Sequence, residues 1–298
     1  MSNACACRRL SRSVKAPSLV RSDVACASRE LRHGKRWTYL ALVIALTCAV
    51  DPVALGAELT DAATRAYAAY VNKARQAFLD RTSRPPALSV GDRAALRQGT
   101  IIVRPGGGDG ILNAPGGLIH HWFAAALIPG VSLDQVVSVS RAYRDYPAIF
   151  HPIVSATIVS DEGDSLRIVF RMKESAAGMS ATLDMASRVA YSRPDARHAY
   201  VISNSDEIHE IKNAGEPTEQ RLPAGRDSGY LWRAGAFTNF VEEDGGVYME
   251  METIGLSRPF PTMMGWMIEP IARRIGRRSV EQSVEEFRQA VLKRRVTH

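Results

Sequence analysis

A chain of 298 residues, 46% hydrophobic and 23% charged, has the composition of one or two ordinary globular domains. Its net charge of +7 is concentrated in the first 56 residues, which carry nine Lys or Arg against three Asp or Glu. The remainder, 29 basic against 28 acidic, is nearly neutral, which excludes the clustered positive surface of a nucleic-acid binder. No nucleic-acid partner is expected.

All four cysteines (Cys5, Cys7, Cys26 and Cys48) also fall in that first segment. No further ligands follow Cys5 and Cys7 at zinc-site spacing, so neither a metal nor a cofactor is expected. Residues 1–34 are rich in Arg, Ser and Ala without hydrophobic periodicity and read as disordered. Lys35-Arg36-Trp37, the apolar run Leu40–Val50 and Ala54-Leu55-Gly56-Ala57 have the three parts of a secretory signal. The run is too short for a spanning helix, which needs about 20 apolar residues. The expectation is an exported protein, periplasmic or secreted, with the signal at about 35–56 and cleavage after Gly56.

After the signal, Ala63, Tyr67, Tyr70, Ala74 and Ala77/Phe78 recur at helical spacing over Thr60–Arg81. Ser83-Arg84-Pro85-Pro86 ends that helix, because proline lacks a donor and disfavours helix before it. A short helix at Val90–Arg97 and a β-branched run, Thr100–Val103, follow. Pro105–Asp109 holds three glycines but lacks the Lys-Ser/Thr of a phosphate-binding loop, and reads as a flexible connection. Residues 57–115 are therefore taken as a helical extension and loop, and 116–298 as the main domain.

From Gly117 to Ile128 the chain reads as a long strand ended by Pro129-Gly130. Ser132-Leu133-Asp134-Gln135 is a capping box that starts a helix, and Tyr146-Pro147 starts a shorter helical turn ended by His151-Pro152. Six strands follow: Ile153–Ser160, Leu166–Lys173, Met179–Tyr191, Ala199–Ile211, Gly229–Val241 and Gly246–Leu256. Their period of two implies one buried and one wet face. The C-terminus reads as an interrupted helix. Trp266, Met267, Ile271 and Ile275 precede a stop at Gly276, Pro270 kinks this first part, and Ser279-Val280-Glu281-Gln282 restarts the helix.

This order, a strand, two short helices, six antiparallel strands and a long C-terminal helix, resembles the helix-grip arrangement of the START-like, or SRPBCC, superfamily. The residues that carry the resemblance are Leu133–Val137, Asp145-Tyr146-Pro147, Phe150-His151-Pro152, the Gly245–Tyr248 hairpin, and Trp266 and Pro270. Pro115–Trp122 also looks like a family of exported bacterial members. The resemblance spans roughly Gly116 to Leu292. It implies an α+β fold, a curved antiparallel sheet of about seven strands around a long C-terminal helix, with a cavity between them.

Within that arrangement, eight methionines and several small strand residues suit an adaptable apolar pocket. The ligand-binding candidates are His120, Trp122, Met172, Met185, Tyr191, Tyr200, Met249, Met251, Trp266 and Met267, with Trp266 and Met267 closing the cavity. The expected partner is an apolar small molecule (a lipid, quinone or isoprenoid), with transient contact with a membrane. No catalytic set is assigned. Adjacent His120 and His121 point to opposite faces of a strand and cannot share a metal. Two alternatives stand beside the binding protein. One is a cavity enzyme of the polyketide cyclase type moving protons with His120, Arg171, Tyr191, Tyr200 or Glu250, where Arg171 and Glu250 are expected to face solvent. The other is an envelope interaction module using the Thr60–Arg81 helix.

Overall fold

The computed structural model describes residues 57–82, 90–176, 179–260 and 265–295. The leader, its cysteines and the signal, and the Ser83–Pro86 terminator, lie outside the described residues. The described chain belongs to one compact unit.

Its centre is a curved, entirely antiparallel sheet. Strands β2 (Ile102–Pro105), β4 (Gly117–Pro129), β12 (Gly246–Ser257), β11 (Arg233–Glu243), β8 (His198–Lys212), β7 (Met179–Asp195), β6 (Ser165–Ala176) and β5 (Ile153–Asp161) pair in that order, with β3 (Ile111–Ala114) also on β4 and β9 (Gln220–Arg221) on β8. A separate two-residue ladder joins β1 (Ala57–Glu58) to β10 (Arg226–Asp227). Tight turns set the register. The β11–β12 hairpin turns on Asp244 (φ 56) and Gly245 (φ 74), the pair of positive φ angles whose twist matches the flanking strands. Edge strand β5 carries two register shifts against β6, irregularities that discourage pairing with another chain.

Helices cover both faces. Helix α1 (Asp61–Thr82) lays Ala63, Tyr67, Val71 and Phe78 on Ile119, Ile202, Phe237 and Ile254, and Leu96 of α2 (Val90–Arg97) packs on Phe123, Leu127 and Tyr248. On the opposite face lie α3 (Leu133–Arg141), which opens at the predicted capping box, a 3-10 turn at Tyr143–Asp145, α4 (Tyr146–Ile149) and α5 (Gly265–Arg295). Helix α5 buries Val280, Val284, Phe287 and Val291 against Ala124, Ala126, Phe240 and Met249. β4, the strand between the two layers, is buried along nearly its whole length. That explains its unbroken apolar run.

Two expectations are corrected. The break at 115/116 is not a break in the fold, because β2 and β3 pair with β4 and α1 packs on the same sheet. The C-terminal helix is continuous over 31 residues. Gly276 does not stop it; a Cβ there would come within 2.5 Å of Trp122 Nε1, so the glycine lets the helix approach the indole. Pro270 is exposed, so the carbonyl its ring leaves unpaired faces water at little cost.

Candidate functional site

Between the α5 face of the sheet and the α3–α4 segment lies a cavity of about 180 Å³. Strand alternation builds its floor. Phe170, Val189, Val201, Ala236, Phe240, Met249 and Met251 come from five neighbouring strands and share one face. Ala236 and Ser203 are small, and that is what leaves space under the helices. Phe287 of α5 and Phe150 after α4 form the roof.

One end carries three phenols. Tyr191 Oη donates to Ser140 O at 2.7 Å, Tyr146 Oη donates to the same carbonyl at 2.7 Å, and Tyr143 and Tyr191 hydroxyls meet at 2.6 Å. With Tyr191 and Tyr146 committed to the carbonyl, Tyr143 is the donor in the third bond. Burial pushes all three hydroxyls above the ordinary phenol range, so they stay protonated at any physiological pH. Their protons are spent on each other and on the backbone, and the cavity meets aromatic faces more than free donors. Ser203 and Thr238 complete the polar side.

Of the residues singled out from the sequence, Tyr191, Met249 and Met251 line this cavity. Met172 and Met185 lie beside it, in the cluster around Phe170 and Tyr143. Five lie elsewhere. His120 bonds Ser257 Oγ at 2.8 Å away from the cavity. Trp122 is plugged between Gly110 and Gly276, neither of which leaves room for a Cβ beside the indole. Tyr200 is on the opposite face, edge-on to Phe78 of α1. Trp266 and Met267 are 79% and 44% exposed. They sit about 30 Å along the helix axis from Phe287, at 1.5 Å per residue, and do not close the cavity.

Among the lining residues not singled out are the aromatics of the helical segment, Tyr143, Tyr146 and Phe150, and the small strand positions Ser203 and Ala236. Tyr146 and Phe150, four apart on one helical turn, were the available signal. Of the proton-transfer candidates, Arg171 is held by Asp184 at 2.8 Å and by Glu219 at 3.0 Å. Glu250 lies on the α1 face, and it is 6% exposed and not in solvent: the alternation was right, but α1 covers that face.

No family profile and no curated protein matches the chain. Solved structures do match. One is a STAR-related lipid transfer protein from Xanthomonas axonopodis, at 14% identity and TM-score 0.41, covering 61% of this chain and 99% of that one. Another is the ZhuI aromatase/cyclase from Streptomyces sp. R1128, at 12% and 0.40, covering 59% and 95%. A third is human STARD10, at 8% and 0.40, covering 70% and 81%. The sheet order and the helix packed along one face are visible in the chain itself. That order of strands with one long helix packed along a face is a helix grip. Relative to that arrangement α1 and α2 are an added layer on the other side of the sheet.

Proposed function

We propose that this chain is a START-like protein, an exported binding protein for an apolar small molecule, a lipid, quinone or isoprenoid, held between the sheet and α5. The observation that carries the reading is the cavity under the helices, whose walls are aromatic rings, valines and methionines and whose tyrosine hydroxyl protons are already bonded. Affinity would come from buried apolar surface, at about 25 cal/mol per Å². At about 180 Å³ the cavity is smaller than the roughly 300–1,000 Å³ of drug-sized pockets. It takes a ring or a short chain segment as it stands, and a longer ligand requires α4 and the flexible Met251 to give way. Enzymatic proton abstraction is disfavoured here, because the ionisable groups lining this cavity are tyrosines held protonated.

The reading includes transient contact with a membrane, made by the first half of α5. From residue 265 to 279 nothing is buried. Trp266, Met267, Ile271 and Ile275 are exposed, and Arg274, Arg277 and Arg278 stand exposed on the following turns. Apolar tip and basic collar match the acyl and headgroup layers of an anionic bilayer.

Ala236→Phe tests the binding reading directly, since its ring would occupy the cavity. The expected result is loss of an environment-sensitive apolar fluorophore bound by the wild-type protein, with the melting temperature kept within a few degrees. Undiminished fluorophore binding in that variant would place the ligand elsewhere. For the membrane contact, Trp266→Ala should keep wild-type stability to within about 0.5 kcal/mol yet lose co-flotation with vesicles containing phosphatidylglycerol. Equal flotation of both proteins would rule out the helix tip as the contact.

A further inference from the structure

A second and larger cavity, about 480 Å³, lies on the other side of the sheet, beneath α1. Helix α1 turns Tyr70, Lys73, Ala74, Ala77 and Arg81 towards it, positions that share one helical stripe. Two alanines at the middle of the stripe keep the helix backbone from being filled out against the sheet. Opposite them are His121 of β4, Glu250 and Glu252 of β12, and Arg104 at the end of β2.

These groups form two hydrogen-bonded chains. Tyr70 Oη lies 2.9 Å from His121 Nδ1, His121 Nε2 lies 3.2 Å from Glu252 Oε2, and Arg81 pairs with Glu252. Asn239 Nδ2 donates to Glu250 Oε2 at 3.2 Å, and His198 Nε2 lies 2.8 Å from Asn239 Oδ1. The carboxylate of Glu252 accepts only, so His121 carries its proton on Nε2 and accepts at Nδ1 from the Tyr70 hydroxyl. Gly106 and Gly107 fit over this pair because neither has a Cβ; at Gly106 one would run into the His121 ring, and at Gly107 into the Tyr70 hydroxyl.

Two buried carboxylates on one strand face are costly unless each is paired. Glu252 is paired, by Arg81 and His121. Glu250 receives one amide from Asn239 and otherwise borders the cavity, 6% exposed. Fastening α1 to the sheet needs the Glu252–His121–Tyr70 chain. It does not need Glu250, an open chamber of this size, or the further cations Lys73 and Arg104. Lys73 is exposed, and the side chains of Arg81 and Arg104 are 33% and 45% exposed. Arg104 is shared with Asp92 at 3.5 Å. The chamber therefore presents cationic donors at its mouth and unspent acceptors within, Glu250 on the sheet and the Tyr70 oxygen on α1.

We propose that this chamber is a second ligand site, for a small hydroxylated organic anion whose phosphate or carboxylate is held by Lys73, Arg81 and Arg104 and whose hydroxyl donates to Glu250. It lies across the sheet from the α5 cavity and its ligand is polar, so the two sites are chemically and spatially independent.

Calorimetric titration of the purified full chain with glycerol 3-phosphate, citrate and sulfate tests it. Saturable binding of at least one of the two hydroxylated anions is expected. Lys73→Ala combined with Arg104→Ala should weaken it at least about tenfold, as expected for removing charge-assisted bonds, with an unchanged melting temperature. Glu250→Gln should weaken the hydroxylated anions without weakening sulfate, which has no hydroxyl to donate, and this separates recognition of the hydroxyl from capture of an anion alone. Three results would overturn the proposal: no saturable binding of either hydroxylated anion, binding that survives the double substitution, or equal loss of all three ligands on Glu250→Gln.

Discussion

At His121, one layer of helix decides a charge state. The ring is 4% exposed, and burial, with the Arg81 guanidinium adding to it, lowers its pKa from 6.5 to about 4. The groups facing it are Tyr70 and Arg81 from α1 and Glu252 from β12. Above pH 6.5 the imidazole is neutral whether the chain is folded or not, and it costs nothing. As pH falls from 6.5 towards 4 the unfolded chain takes up a proton that the folded one refuses. Stability therefore drops through that window, by about 3 kcal/mol once pH is below 4. Urea unfolding at pH 7 and pH 4.5 should show a larger loss for the wild type than for His121→Gln, with carboxylate protonation common to both. Equal losses would mean that His121 is not held neutral. From the sequence, the opposite orientation of His120 and His121 was legible, as was the outward alternation of Glu250 and Glu252. Their burial was not, because it depends on an alanine-rich helix more than a hundred residues away, whose own pattern names no docking surface.

At the scale of elements, strands and turns were readable where local chemistry decides them. Alternation in β6 and β12, the Ser132–Gln135 box and the Asp244-Gly245 turn each act within a few residues. Helix α5 was misread for the opposite reason. Gly276 and Pro270 break a helix by propensity, but their effect here is set by distant neighbours, Trp122 in one case and water in the other. Gly276→Ala measures this competition. Helix propensity alone favours alanine by about 1 kcal/mol, while forcing a methyl against a buried indole costs about 1–3 kcal/mol. Contact at 2.5 Å from Trp122 Nε1 puts the balance on the destabilising side, and the urea midpoint of the variant should fall. A midpoint that rises would show that the helix does not press on Trp122. The same continuity moved Trp266 and Met267 from cavity wall to exposed tip.

For the whole molecule, the helix-grip order was visible in the sequence because seven strands and one long helix can be counted along it. What the count left open was the number of layers. The unbroken apolar run of β4 signals burial on both faces, and the second cover is α1 with α2, so residues 57–115 complete the domain that the sequence reading began at 116. Cavity size was not legible either, since it depends on how far Phe287 and the Tyr143–Phe150 segment stand off the strands, a distance set by packing and not by any local pattern. The central claim is that the space under those helices holds an apolar molecule. It is tested most directly by purifying the protein natively, denaturing it and examining the released small molecules by mass spectrometry. The account predicts a stoichiometric lipid, quinone or isoprenoid from the wild-type protein and its absence from Ala236→Phe. An extract free of apolar molecules from the wild-type protein would contradict it.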